Sequence, residues 1–600
     1  MGQALRRSQF ITTYGPGAIL EGKRGPRIIP ALDSSGIFDN RQATDFEITD
    51  SRLSNALLKG AGILRIPSNA ELGLTDSQDV YDTIPFPSWA LCTSHQILYL
   101  KRPGVGNARQ ACPRCSLLPS EEEAWRRVRH QAIRFVRVCP RGHLDDVDWV
   151  GMIQHRMQPC RPSYLIWRGG GSALRNINIV CPECGASINL GFAYSGRTWP
   201  CSGRYPERKE GRSACDAEAK LLQRGASNLR MPELYSSLSI PPADTVLYRL
   251  LDSKIIRVAL AFSTITSKQD MITVLNKLVS NNAVGRALVN EVNRYNEDEI
   301  LTVVKQLEEP LPKTNRELRC QEFEALKRAA VSGAPPQRSK TPGAPPLFEV
   351  TRQDVREFPG PGSNTYKLRI TPISRLRVVL VQKGYRRIDP LKGDIVECIY
   401  MDKQSQPWYP GVEHYGEGIF IDLAPDSLSN GKHFPLKRDQ AWFDAWRDPA
   451  RYKQRMQPDS DDQDYLHPVF VWWHTLAHRL INALSIDSGY SSAAVRERVY
   501  VDIDSVSGRA SGGVLLYTAQ PGGDGTLGGM IALVPQFDRV LRVAFNTIDG
   551  CSNDPLCSEV EFGAGKYNGS ACYACLLVSE TSCEHRNTRL DRTLLKENLP

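Results

Sequence analysis

The apolar positions of the chain change period several times, and each change marks an element. Residues 12–20, TTYGPGAIL, form a Gly/Pro turn that opens into an apolar run, and the first hundred residues read as short strands and turns. From 245 to 330 the spacing becomes helical. LVSNNAVGRALVNEVNRY (278–295) and EDEILTVVKQLEEPL (297–311) keep apolar residues near a 3.6 period until Pro310 and Pro312 end it. YKLRITPISRLRVVLVQKGYRRI (366–388) alternates and is rich in β-branched residues, so strands are predicted there. LHPVFVWWHTLAHRLINALSI (466–486) predicts a long, buried helix. RVYVDIDS (498–505) and GGVLLYTAQP (512–521) predict strands, and LGGMIALVPQFDRVLRVAF (527–545) a helical stretch around Pro535.

These elements imply a multidomain α/β protein, with an α+β N-terminal half that carries zinc-ribbon-like modules and an α/β C-terminal half. Composition shifts divide it into a mixed region (1–100), a basic cysteine-rich region (101–230), a helical region (231–330), a Pro-rich linker (331–347, VSGAPPQRSKTPGAPPL), a β-rich region (348–465) and a C-terminal α/β region (466–600). The acidic DSDDQD (459–464) reads as a solvated loop. No apolar leader core or run of 18 apolar residues is present, so a cytoplasmic location is expected.

Sixteen cysteines in a reducing compartment point to metal rather than disulfides. Cys112-Pro-Arg-Cys115 and Cys139-Pro-Arg-Gly-His143 supply two short knuckles, whose two- and three-residue gaps let both donors reach one tetrahedral ion. A second cluster combines Cys181-Pro-Glu-Cys184 with Cys201 and Cys215. In a third, Cys572 and Cys575 are the surest ligands, while Cys551, Cys557 and Cys583 compete for the two remaining places. Two to three zinc ions are therefore expected, in closed sites that fold with their metal; chelation should loosen residues 110–215 first. Cys92, Cys160, Cys320 and Cys398 stand alone and read as small buried hydrophobes.

The net charge of +9 is concentrated. Between Lys101 and Arg230 there are 22 Lys and Arg, 19 of them Arg, against 11 Asp and Glu. Such an Arg-rich stretch fits a nucleic-acid backbone, although a solvated basic face is the plain alternative. Arg126, Arg127, Arg129, Arg134 and Arg137 are the candidate phosphate contacts, and no catalytic residue is assigned. No phosphate loop exists, since Gly431-Lys432 is followed by His433, and no GxSxG elbow occurs. Gly523-Asp-Gly525-Thr-Leu-Gly528 matches GxGxxG, with Asp549 further on, but a tight glycine turn packing helix on strand explains it more simply. His474-Thr-Leu-Ala-His478 lacks the glutamate a metalloprotease needs at Thr475, so core or interface histidines are expected.

RRSQFITTYGPGAI, CPRGHLDDVDW, HTLAHRLINAL, SGYSSAAVRERVY, GGDGTLGG and ACYACLLVSETSCEHRNTRLDR together resemble the DrmB family of the DISARM antiphage defence system. The last ~130 residues also resemble the C-terminal zinc domain of MrfA-type helicases. There Gly522, Gly523 and Gly525 would form the glycine turn and Cys572 and Cys575 the second CxxC, while the five residues between Cys551 and Cys557 make a wider first pair than that pattern has. The resemblance implies a non-motor zinc-binding subunit that binds DNA beside a DrmA-like helicase, with ATP hydrolysis left to that partner. Two other readings are a metal-dependent nuclease or nucleotide hydrolase built on GGDGTLGG, Asp502, Asp504 and His474, and a purely structural scaffold.

Overall fold

The structure, a computed structural model, describes residues 5–596 except 23–24, 35–42, 76–77, 79, 102–111, 116–129, 157–158, 172, 209–210, 242–244, 335–346, 361–364, 404, 425–438, 451–459, 505 and 522–527. The Pro-rich linker (all but its ends), Gly431-Lys432 and most of GGDGTLGG thus lie outside the described residues. The chain forms a mixed α/β structure in two units. One comprises residues 1–46, 64–234 and 381–410, the other 47–63, 235–380 and 411–600.

The first unit is built from small sheets. A six-stranded sheet runs in the order Ser187–Asn189, Asn178–Val180, Tyr164–Arg168, Ile97–Leu100, Trp89–Cys92 and His130–Ala132. A four-stranded sheet runs Trp199–Pro200, Glu218–Gln223, Phe135–Val138, Leu144–Asp145. Their apolar faces meet in a core that includes Trp89, Leu98, Phe135, Trp149, Leu165, Trp167 and Leu221. The TYGPG turn follows the helix Arg7–Thr12, and Gly17 turns it at φ +79°. The wholly buried Arg387 guanidinium donates to the carbonyls of Gly17 (3.1 Å), Gly142 (2.9 Å) and Leu229 (2.8 Å), which joins that turn to the CPRGH hairpin.

The second unit has helices on both faces of a long sheet. Its parts of strands Thr365–Arg386 (to residue 380) and Pro407–Leu423 (from residue 411) lie in that order with Ala510–Pro521 and Val495–Ile503. Val499 pairs with Val514 and Ile419 with Leu516. Along each strand alternate residues face opposite layers, so both faces of VLLY are covered and the run is continuously apolar. Val514 and Leu516 pack with the helix Pro468–Asp487, while Leu515 and Tyr517 pack with Asn315–Ser332. Gly512 is small because Trp473 lies on it; a Cβ there would stand 2.4 Å from that ring. The 466–486 and 366–388 patterns are realised as one helix and one 22-residue strand. The helical region becomes six helices between Val246 and Ser332, two of them opened by reciprocal caps, Ser267 with Asp270 and Asn296 with Glu299. DSDDQD is not a plain loop: Ser460–Leu466 is a 3₁₀ helix, with Asp464 paired to Arg316. Among the described residues no helix is long and apolar enough to cross a membrane.

Candidate metal centres

The cysteine knuckles are placed by hairpins, and strand register decides which knuckles meet. Trp89–Cys92 and Ile97–Leu100 pair with Cys92 opposite Ile97, so His95 sits in the connecting turn. The Cys112–Cys115 knuckle, closed by an amide-to-carbonyl bond of 2.9 Å, packs against that hairpin. The Cys115 sulfur lies 3.7 Å from that of Cys92 and 3.4 Å from His95 Nδ1. The first group is therefore Cys92, His95, Cys112 and Cys115.

Cys139 and His143 flank the turn between Phe135–Val138 and Leu144–Asp145, with Gly142 at φ +85°. Because Val138 pairs with Lys220, and Pro200 with Glu218, residues 139, 201 and 215 fall at one end of the four-stranded sheet. The second group is Cys139, His143, Cys201 and Cys215. His143 Nδ1 faces the Cys139 sulfur at 3.3 Å, while Nε2–H is held by the Ser213 hydroxyl at 3.1 Å. The third group, His155, Cys160, Cys181 and Cys184, sits where Tyr164–Arg168 and the Asn178–Asn189 hairpin lie side by side. His155 donates from Nε2 to the Val150 carbonyl (3.1 Å) and turns Nδ1 to Cys184 (3.3 Å). In both histidines the engaged nitrogen fixes the tautomer, which leaves the other lone pair for a ligand.

In the second unit Cys551, Cys557, Cys572 and Cys575 converge. Their sulfurs are 3.4 Å (551–572), 3.8 Å (557–575) and 3.7 Å (572–575) apart. Cys583 does not join them. It faces His474, His478 and Glu497, all four fully or nearly fully buried.

The donor sets fit a tetrahedral thiophilic cation. Metal–sulfur bonds of about 2.3 Å and metal–nitrogen bonds of about 2.0 Å give ligand–ligand edges of about 3.3–3.8 Å. The separations of 3.3–3.8 Å quoted for the three groups of the first unit and for the four-cysteine group match those edges. Without a cation, burial pushes the Cys139 thiol up to about 12 and Cys575 to about 11, so those thiols are protonated; metal binding must displace the protons. Burial also raises Cys572, but hydrogen bonds led by that from Cys551 bring it down to about 7. Backbone amides hold Cys184 at about 6.

The grouping differs from the expected one. Cys112 and Cys115 are not with Cys139 and His143, and Cys181 and Cys184 are not with Cys201 and Cys215. Pairing knuckles by their order in sequence fails because the strands that carry them interleave. Cys92 and Cys160, expected to be isolated core residues, stand among the donors, as do His95 and His155. The spacing Cys92-x-x-His95 is itself a knuckle and was the available signal. Cys320 and Cys398 join no group of the described residues.

The basic candidates are split. Arg126, Arg127 and Arg129 lie outside the described residues. Arg134 is exposed, over the Phe135 ring, whereas Arg137 is turned inward to the Pro200 carbonyl (3.2 Å) and Asp145 (3.9 Å). Of the glycine motif only Gly528 and Gly529 are described, and Asp549 pairs with Lys596 at 2.6 Å. Asp504 caps a turn through the Val506 amide (2.9 Å) and the Ser507 hydroxyl (2.7 Å), and Asp502 pairs across the sheet with Ser511.

Residues 476–576, which hold all four sulfurs of the Cys551–Cys575 group, match the MrfA Zn-binding domain, and residues 6–231 match a family described as a domain of unknown function, DUF8724. The 476–576 stretch is therefore similar to an MrfA-type zinc-binding domain. More particularly, the chain is 28% identical over 553 residues to the DISARM protein DrmB of Bacillus paralicheniformis, covering 86% of this chain and 89% of that relative. The resemblance carried by the sequence motifs is thus borne out. The crystal structure of the DUF1998 helicase MrfA bound to DNA aligns with 35% of this chain and 22% of that one, at 10% identity and a TM-score of 0.17, too slight a likeness to define a shared fold.

Proposed function

We propose that the chain is a non-motor, zinc-stabilised accessory subunit of a DISARM-type antiphage complex, which binds DNA through backbone contacts beside an ATP-driven helicase. The observation that carries this reading is the similarity to a DISARM protein over nearly the full length of both chains, together with the MrfA-type zinc domain. The cysteine-rich groups at Cys92–Cys115, Cys139–Cys215, His155–Cys184 and Cys551–Cys575 each take one zinc, four per chain rather than the two or three suggested by linear clustering. All four present four protein donors and leave no position for a reacting water, which suits structural ions. The basic residues belong to the first unit, mostly in the turns and loops between its strands. Arg114, Arg134, Arg161, Arg168, Arg175 and Arg197 are exposed there. Arg197 lies over the ring of Phe192, which is itself 52% exposed. Guanidinium groups beside an open aromatic ring suit phosphates and unstacked bases.

The test is recovery of the tagged chain from its host at low salt. A stoichiometric large helicase is expected, and the pair should bind DNA with an affinity that falls steeply as salt rises. Reversal of Arg134, Arg168 and Arg197 to Glu should weaken binding at least tenfold and flatten the salt slope. A chain recovered alone, or a triple variant with unchanged affinity and slope, overturns the corresponding half of the proposal.

A further inference from the structure

The long helix of the second unit presents two imidazoles one turn apart, and neither is packed as an ordinary core histidine. His474 and His478 are each engaged at Nδ1 by a backbone carbonyl, of Arg589 at 3.2 Å and of Leu576 at 2.8 Å. A carbonyl can only accept, so each Nδ1 carries the proton and each neutral ring has a bare Nε2. Those two Nε2 atoms face one another at 3.1 Å. Both also face the same carboxylate oxygen, Glu497 Oε1, at 2.8 and 3.3 Å. The Cys583 sulfur closes the group at 3.3 Å from His474 Nε2, and it accepts the amides of His585 and Asn587 at 3.3 Å each. Paired amides on one sulfur favour thiolate, as in a metal knuckle. Lone pairs from four side chains thus converge on one buried point, which is repulsive unless a cation occupies it.

The other carboxylate oxygen strengthens the case. Glu497 Oε2 is buried and has no hydrogen-bond partner. One protonated imidazole would satisfy Oε1, but it would leave Oε2 orphaned in a dry site, and it gives the sulfur no reason to face the rings. A cation bound by both oxygens removes the orphan. We propose that His474, His478, Glu497 and Cys583 form a fifth metal centre, for a divalent cation of the zinc class. Nitrogen and sulfur donors exclude magnesium and calcium, and thiolate plus carboxylate balance the ion's charge in a dry interior. His474 and Cys583 lie outside the segment matched to the MrfA Zn-binding domain, so this centre extends beyond it. It joins the helix, the strand Val495–Ile503 and a C-terminal segment 109 residues from His474 in sequence.

The decisive measurement is an anomalous difference map from crystals of the full chain, purified without chelator, collected above and below the zinc edge. A peak among these four residues, beside one at Cys551–Cys575, is the expected result. An occupied four-cysteine centre with no peak here overturns the proposal and leaves the accessory-subunit reading intact. In solution, Glu497→Gln and Cys583→Ser should each lower zinc by one equivalent per chain. Unchanged zinc in soluble variants also overturns it, and if the variants do not fold, the wild-type map decides.

Discussion

Arg387 shows how one side chain carries constraints that sequence motifs only hint at. TYGPG and CPRGH are some 125 residues apart in sequence, yet the same guanidinium donates to carbonyls of both turns and of Leu229. Buried Glu207 stands 3.8 Å away and offers the compensating charge. Arg387→Met would leave three carbonyls without that donor in a dry site, and would leave Glu207, which keeps the Tyr385 hydroxyl, without its counter-charge. Each orphaned group costs about 1–3 kcal/mol, so the first unit should lose at least about 3 kcal/mol of stability. Chemical denaturation followed by tryptophan fluorescence measures it, and Arg134→Met, at the exposed position, should change stability by less than about 0.5 kcal/mol. Near-equal values for the two would contradict this account. The same lesson applies to the metal donors. Local spacing revealed Cys112/Cys115, Cys181/Cys184 and Cys572/Cys575, because a knuckle is a local object. It could not reveal that Cys583 leaves its neighbours for His474, since that choice is made by the packing of a helix on a strand.

At the scale of elements, periodicity was the readable signal and partnership was not. The 466–486 run reads as a helix because apolar residues dominate its length, and the structure buries it from Pro468 to Ile481. Its start is set by His467, whose Nδ1 accepts the Val469 amide at 3.2 Å while Nε2–H donates to the Gly508 carbonyl at 3.2 Å. Protonation at Nδ1 would destroy the cap. Burial accordingly holds the imidazole down to about 4, against an ordinary value of 6.5. The unfolded chain therefore binds the proton first as pH falls. The cap's contribution is complete above pH 6.5, declines between 6.5 and about 4, and is gone below that. The loss is on the order of 3 kcal/mol. His467→Asn keeps an N-cap acceptor that does not titrate, so unfolding of the second unit should depend less steeply on pH over that window. Parallel pH profiles for variant and wild type would remove His467 from the explanation.

For the whole molecule the question is what each unit folds around. The second unit has an extended apolar core, with Trp442, Phe470, Trp472, Trp473 and Leu480 wholly buried among many others, and its sheet is covered on both faces. The first has strands of two to six residues and three groups of candidate ligands at their ends. Two-residue strands such as Leu144–Asp145 and Trp199–Pro200 form few ladder bonds, so their geometry must be fixed from outside the sheet. Metal binding supplies that, since the free energy of closing a thiolate site is also folding free energy. The two units should therefore answer chelation differently. Hydrogen exchange of the full chain after a strong zinc chelator should rise first in peptides between residues 89 and 223, while Pro468–Asp487 keeps most of its protection. Readdition of zinc should restore the protection of the first unit. Simultaneous loss in both units would mean that the apolar core of the second is itself organised by its metals, and that the large hydrophobic cluster is a consequence of the zinc domain rather than its support.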